Sequence, residues 1–418
     1  MMIMTAIRLA ARMDLLGTES AFEVLARAKA LEAAGNRIIH LEIGEPDFPT
    51  APHIVEAAVE ALHAGHTHYV PAPGIPQLRE SVAAFLDRTG RMPGISPQRV
   101  IVTPGAKPIM FYTIMALAGP GDEVLYPDPG FPMYESITAF AGATPVPIPL
   151  REANQFRIDT EELESLISER TRLLVLNTPH NPCGSALTAG DCAAIAEIAQ
   201  RHDLIVLSDE VYWAIKYSPG GRPPGDPPSG GIPSPQAPLA HASVLDYDGM
   251  ADRTILLDGW SKTFAMTGWR LGFGVFPQAL VEPITRLAIN SVSCTSAFSQ
   301  YAAIAALDGP WDAVVSMVEE FRRRRDFIVA GLNELPGVSC VEPAGAFYAF
   351  PNITGTGMSS TELAARLLAE AGVAALSGTA FGPQGEGYLR FSYANSVDNI
   401  AAALKAIAGL LLSRVVDC

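Results

Sequence analysis

The sequence predicts an α/β protein: a large domain with a mostly parallel sheet flanked by helices, and a smaller α+β domain. Three observations predict it. Continuous apolar runs alternate with helix-period stretches, as in sheets covered on both faces. The pattern changes after about residue 310, where a long charged helix leads into short strands. The chain has 418 residues, 49% of them apolar and only 17% charged, enough for two buried cores.

The elements follow in order. The opening MMIMTAIRLAARMDLLG is mildly amphipathic and lacks the unbroken apolar core of a secretory signal, so it reads as an N-terminal arm. Residues 1–48 are assigned to this arm and to part of the small domain. Residues 49–300 form the large domain. Its strand candidates are Val100–Thr103, Glu123–Tyr126, Leu173–Leu176, Leu204–Leu207, Thr254–Leu257 and Gly272–Phe276. Ala106–Ala118 and Ala189–Arg201 carry helical periodicity between them. Ser218–Pro238 holds eight prolines and five glycines, which neither a helix nor a central strand accommodates, and reads as an exposed insert. Residues 301–418 form the small domain: helices at Trp311–Leu335, Ser360–Ala371 and Asn395–Leu412, strands near Gly345–Phe350 and Gly387–Tyr393.

Charge and cysteines narrow the function. A net charge of −15 argues against a nucleic-acid or anionic-membrane surface. No apolar run approaches the roughly 18 residues of a membrane span. Five scattered cysteines, with no C-x-x-C, read as reduced thiols in a cytoplasmic protein.

In such sheets ligands collect at the carboxyl ends of strands. Four candidate strands deliver chemistry there. LIVLSDEVY ends in Asp209, LLVLNTPHNPCG carries Asn181, TILLDGWSK carries Lys262, and VIVTPGAK places Gly105, Ala106 and Lys107 at a helix start suited to an anion. Each alone has an ordinary structural explanation: an ion pair, a turn, a helix cap. Together they suit pyridoxal phosphate, which needs a lysine imine, an acid against its ring nitrogen and a phosphate site. The apolar DGWSKTFAMTGWR stretch disfavours an ammonium, leaving Lys262 nucleophilic. Ser261 and the forked guanidinium of Arg270 suit the phosphate.

SKTFAMTGWRLG resembles the lysine signature of the class I/II aminotransferases, fold type I pyridoxal-phosphate enzymes of the aspartate aminotransferase kind. EIGEPDFPT, HYVPAPGIPQLRE, TPGAKPIMF, GDEVLYPDPGFPMY, NTPHNPCG, SDEVY and YLRFSYANS match further family motifs, in the family's order. The resemblance implies a seven-stranded sheet in the large domain, and pyridoxal 5'-phosphate as cofactor. It makes Lys262 the imine lysine and the base at Cα. Asp209 would pair with the ring nitrogen, Tyr212 and Asn181 with the ring oxygen, and Phe131 would stack on the ring. Gly105, Ala106, Lys107, Ser261 and Arg270 fall in the cofactor's phosphate region, and Tyr69 would reach the phosphate of a neighbouring subunit. Arg390 would grip the substrate α-carboxylate, helped by Asn181 and Gly44. The implied activity is ping-pong transfer of an amino group from an L-amino acid to a 2-oxo acid, in a homodimer.

The same scaffold supports other chemistry, such as a lyase reaction, and fold does not fix reaction. A similar lysine faces a distal substrate carboxylate in some aspartate-type relatives, so Lys107 either does the same, with Glu23 as the acid that would neutralise it, or sits at its helix start exposed to solvent. His53, His63, His66 and His68 cluster but lack the carboxylate or thiolate set of a metal site, so no metal is expected. His180 either lines the substrate pocket or packs in its turn. The arginines of FRRRRD (321–326) spread around a helix and read as a solvated or ion-paired surface.

Overall fold

The computed structural model describes residues 7–217 and 241–416. The insert at Ser218–Pro238 therefore lies outside the described residues. Strand β1 (Ile39–His40) comes first. Then follow β2 (Val100–Thr103), β3 (Glu123–Asp128), β4 (Thr144–Pro149), β5 (Thr171–Asn177), β6 (Ile205–Asp209), β7 (Thr254–Gly259) and β8 (Gly272–Val275). These last seven form one sheet in the order β2-β8-β7-β6-β5-β3-β4. Pairing is parallel from β7 to β4, while β8 runs antiparallel to both its neighbours.

The apolar runs are continuous because the sheet has no wet face. Leu174, Leu176 and Val206 pack on one side; Leu173, Val175 and Leu207, one residue away in each strand, pack on the other. Strand β4 was not among the expected strands, because TPVPIP carries three prolines. Pro145, Pro147 and Pro149 alternate, so all three missing donors share one edge of the strand. β4 is the sheet's last strand and pairs with β3 alone. Its free edge needs no donors, and the prolines block further strand addition there.

The remaining strands are β9 (Tyr348–Ala349), β10 (Val373–Ala374), β11 (Leu376–Ser377) and β12 (Leu389–Ser392). β11, β12 and β9 make a small antiparallel sheet, and β1 pairs parallel with β10, tying the N-terminal segment to the C-terminal part. The long helix Asp312–Asn333 buries Phe321, Ile328 and Leu332 against this region. Its arginine run is only partly surface. Arg324 and Arg325 are buried, Arg324 donating to Asp47 at 2.7 Å and Arg325 pairing with Glu342 at 3.0 Å beneath the Tyr217 ring. Among the described residues no helix is long and apolar enough to cross a membrane.

Candidate active site

Strand ends build the site. β6 and β7 are parallel neighbours with Asp209 opposite Leu257. β6 stops at Asp209; β7 runs into a short helix, Trp260–Thr263, that carries Lys262. β5 ends at Asn177 and turns through Asn181, while β2 leads through Gly105 into the helix Lys107–Leu117. A cavity of about 560 Å³ results, lined by Gly44, Ala106, Lys107, Phe131, Asn181, Asp209, Tyr212, Ser261, Lys262, Arg270 and Arg390. Gly105 packs directly against the Arg270 guanidinium at its edge. Tyr69 lies apart from the cavity of its own chain and is 91% exposed.

Lys262 sits above a fully buried Trp260 and Met266, which explains the apolar stretch around it. Its amine donates to the carbonyl oxygen of Gly44. Burial lowers the pKa to about 8, with Arg390, Arg270 and Lys107 pushing the same way against Glu45. Near neutrality a useful fraction of Nζ is therefore uncharged and nucleophilic.

Asp209 is buried and accepts a hydrogen bond from Tyr134 at 2.8 Å. Burial pushes its pKa up to about 7; the Tyr134 hydroxyl and the Val211 amide oppose this, and Asp258 and Glu210 add to it. A buried acid held this way suits a cationic N–H donor, which would draw the carboxylate back to its charged form. Tyr134 went unrecognised in the sequence, although it lies one helical turn beyond Phe131 and meets that ring edge-on at 5.8 Å.

The anion cradle has backbone reasons. Gly105 holds φ +89, and a Cβ there would meet Arg270 Nη2 at 2.3 Å. Ala106, at the start of the Lys107–Leu117 helix, supplies no side-chain cap, leaving amide donors for a ligand. Arg270 adopts φ 55 and donates to the Thr267 carbonyl at 2.9 Å, which aims its fork. Gly272 lets β8 approach: a Cβ would strike the Ala106 amide at 2.4 Å.

At the other end, Arg390 is buried between the rings of Tyr348 (4.5 Å) and Phe381 (4.9 Å). It donates to Asn181 Oδ1 at 3.1 Å and to the Glu42 carbonyl, while its buried Nε has no partner among the described residues. Asn181 is itself fixed, its amide donating to Asn177 Oδ1 at 2.8 Å. Tyr212 shares a 2.7 Å hydrogen bond with Tyr348, whose hydroxyl also presses on Gly44. Tyr348, Phe381 and Asn177 were not anticipated.

One further expectation changes, and one open alternative resolves. Lys107 pairs with Glu19, not with Glu23; Glu23 accepts from Thr18 at 3.0 Å. His180 is buried in its turn outside the cavity lining, and burial pulls its pKa down to about 3, so the ring is neutral. His66 stacks on Tyr301 at 4.1 Å, and among the described residues no His, Cys, Asp or Glu group is arranged to hold a metal. Behind the cavity, Arg91 is buried with two acids, donating to Asp258 at 2.6 Å and Glu210 at 2.9 Å.

A doubly covered, mostly parallel sheet with lysine, aspartate and anion cradle at its strand ends defines a fold type I pyridoxal-phosphate enzyme. The chain belongs to the aminotransferase class I and II family, which residues 36–407 match. It is 41% identical to the aspartate aminotransferase of Pyrococcus abyssi, covering 91% of this chain and 94% of that one. It is 40% identical to aromatic-amino-acid aminotransferase 2 of Thermococcus litoralis, covering 90% and 92%. The crystal structure of the aspartate aminotransferase from Rhizobium meliloti superposes with a TM-score of 0.88 at 34% identity, covering 97% of this chain and 99% of that one. The protein is a transaminase that works with pyridoxal 5'-phosphate on an amino acid and a 2-oxo acid.

Proposed function

We propose that Lys262 both anchors the coenzyme covalently and shuttles the proton at the substrate Cα, in a ping-pong transfer from an L-amino acid to a 2-oxo acid. One observation carries this: a lysine softened to about 8 and a buried aspartate emerge from adjacent strands into one cavity. Bound there, pyridoxal phosphate supplies a carbonyl that captures amines and a ring that takes up the electrons left at Cα.

The chain's own residues do the rest. Ala106, Ser261 and Arg270 hold the phosphate, backed by Gly105. Asp209 accepts the ring N–H, with Tyr134 keeping the carboxylate aligned. Tyr212 and Asn181 donate to the ring oxygen, and Phe131 covers a face of the ring. Arg390 takes the α-carboxylate in its fork, which points Cα–H at Lys262. The Gly44 carbonyl keeps Nζ at hand once it is free. Nζ would then be placed to take the Cα proton and to hold it for return to the bound substrate.

The functional unit is a homodimer. Tyr69 projects away from its own cavity, and Val55, Val59 and Leu62 make an exposed apolar stripe at helical spacing on Pro52–His63. The buried free thiols of Cys183 and Cys192 fit a reducing, cytoplasmic setting.

Borohydride reduction of the holoenzyme followed by peptide mapping tests the assignment. The label is expected on Lys262; a label elsewhere overturns it. Adding an amino acid should bleach the coenzyme band and release one equivalent of its 2-oxo acid. Release of ammonia with a lost side-chain group would instead mark a lyase.

A further inference from the structure

We infer that Glu19 sets the donor class: by pairing with Lys107 it occupies the cationic handle nearest the side-chain wall, so the enzyme prefers neutral aromatic and aliphatic amino acids over dicarboxylates. This rests on the aminotransferase function proposed above.

The cavity has two ends. At one, Arg390 and Asn181 wait for the α-carboxylate. The substrate side chain then points at a wall built from the helix Ser20–Ala33 and its neighbours. Phe22, Leu25 and Met110 are apolar residues of the cavity lining, the first two from that helix. Lys107 is the basic residue beside that wall. The amine lies 5.5 Å from the Phe131 ring centroid and is held by the Glu19 carboxylate. Both residues line the cavity, Lys107 half exposed and Glu19 more buried.

Pairing changes what a ligand meets. A distal carboxylate approaching Lys107 also approaches Glu19, and must displace one anion from the amine to gain another. An aromatic ring meets Phe22, Leu25 and Phe131 and asks nothing of the pair. Glu19 precedes the first turn of its helix and makes no capping hydrogen bond, so its carboxylate is committed to Lys107 rather than to the backbone. It is thus a specificity-determining residue rather than a fold requirement.

The test is a comparison of kcat/KM for L-phenylalanine, L-aspartate and L-lysine on the holoenzyme and two variants. The parent enzyme is expected to favour phenylalanine. E19Q removes the charge at constant size and should shift the aspartate-to-phenylalanine ratio upward by about tenfold. Adding K107Q to E19Q should return that ratio to the parent value, which a general loosening of the N-terminal helix would not do. A parent that favours aspartate, or an E19Q ratio that does not move, overturns the proposal. So does a preference for lysine, which would make Glu19 a receptor for cationic side chains. If no amino acid bleaches a coenzyme band that borohydride nevertheless traps at Lys262, the transfer function itself fails, a different result from wrong selectivity.

Discussion

The Lys262 amine donates to the Gly44 carbonyl oxygen, linking segments 218 residues apart in sequence. Tyr348 leaves no room for a side chain there: a Cβ at position 44 would lie 2.2 Å from the tyrosine hydroxyl. Gly44→Ala must therefore push the Tyr348 hydroxyl or the Gly44 carbonyl aside. kcat/KM should fall by about 100-fold, since small displacements of positioned groups carry costs of that order. Tyr348→Phe added to Gly44→Ala removes the clashing oxygen and should recover part of the loss. Steady-state kinetics of the two variants measures both steps.

Lys262 also predicts a pH profile. Burial brings Nζ down from 10.5 to about 8. Only the neutral amine attacks a carbonyl. Capture of pyridoxal phosphate by the coenzyme-free protein should therefore quicken about tenfold per pH unit below 8 and level off above it. Stopped-flow absorbance reads the rate. A midpoint near 10.5, the value of an ordinary lysine, would contradict the geometry.

Asp209 makes a prediction of opposite sign for stability. Its folded pKa is raised from 3.8 to about 7 by burial. The unfolded chain loses this proton near 3.8 and the folded coenzyme-free chain holds it to about 7. Keeping the acid buried is thus free below the lower value and increasingly costly as pH rises through the window. Asp209→Asn should stabilise the coenzyme-free protein at pH 8 by about 2–4 kcal/mol, and by less at pH 5. Urea unfolding at the two pH values measures the difference. The same variant should hold the coenzyme more weakly, because it cannot balance a ring cation.

The contrast between Lys262 and Tyr348 shows where sequence reading works. Lys262, Asp209 and Asn181 each follow a continuous apolar run, so their position at a strand end is a local property that needs no knowledge of the rest of the chain. Tyr134 and Tyr348 touch the site only through tertiary packing. One comes off a helix, the other off a strand of the three-stranded sheet whose neighbours in sequence are equally apolar. Glu19 is the extended residue just before the helix and Glu23 lies in its first turn, and only the fold decides which reaches Lys107. β4 was hidden because a proline-rich hexapeptide is a strand only where one edge is free.

Arg91 predicts the cost of losing a buried network. The guanidinium stands 4.2 Å from the Trp213 ring centroid and bridges Asp258 and Glu210, with Ser208, His241 and Ser243 also bonded to Glu210. Glu210 directly follows Asp209, and Asp258 lies four residues before Lys262, so this cation clamps the two strand ends that carry the site. Arg91→Ala leaves two buried acids without it and should destabilise the protein by about 3–5 kcal/mol at pH 8. Burial, against the pull of Arg91, already holds Asp258 up to about 6. At pH 5 it can take a proton and the loss should shrink. Urea unfolding at both pH values, with coenzyme dissociation followed by absorbance, separates the effect on the fold from that on the site.

Tyr69 and Lys262 supply a test of the dimer. If Tyr69 completes the phosphate site of the partner, Tyr69→Ala and Lys262→Ala damage different halves of one active site. Each homodimer should be impaired: the first through weak coenzyme binding, the second through lack of the amine. In a hybrid, one site combines two damaged halves and stays dead. The other combines an intact Lys262 from one chain with an intact Tyr69 from its partner. Co-expressed, differently tagged subunits purified as the hybrid should therefore show about half the parent's activity per dimer, with the parent's coenzyme affinity at the working site. Activity no greater than that expected from an isolated Tyr69→Ala site would mean that the exposed ring serves its own chain or none.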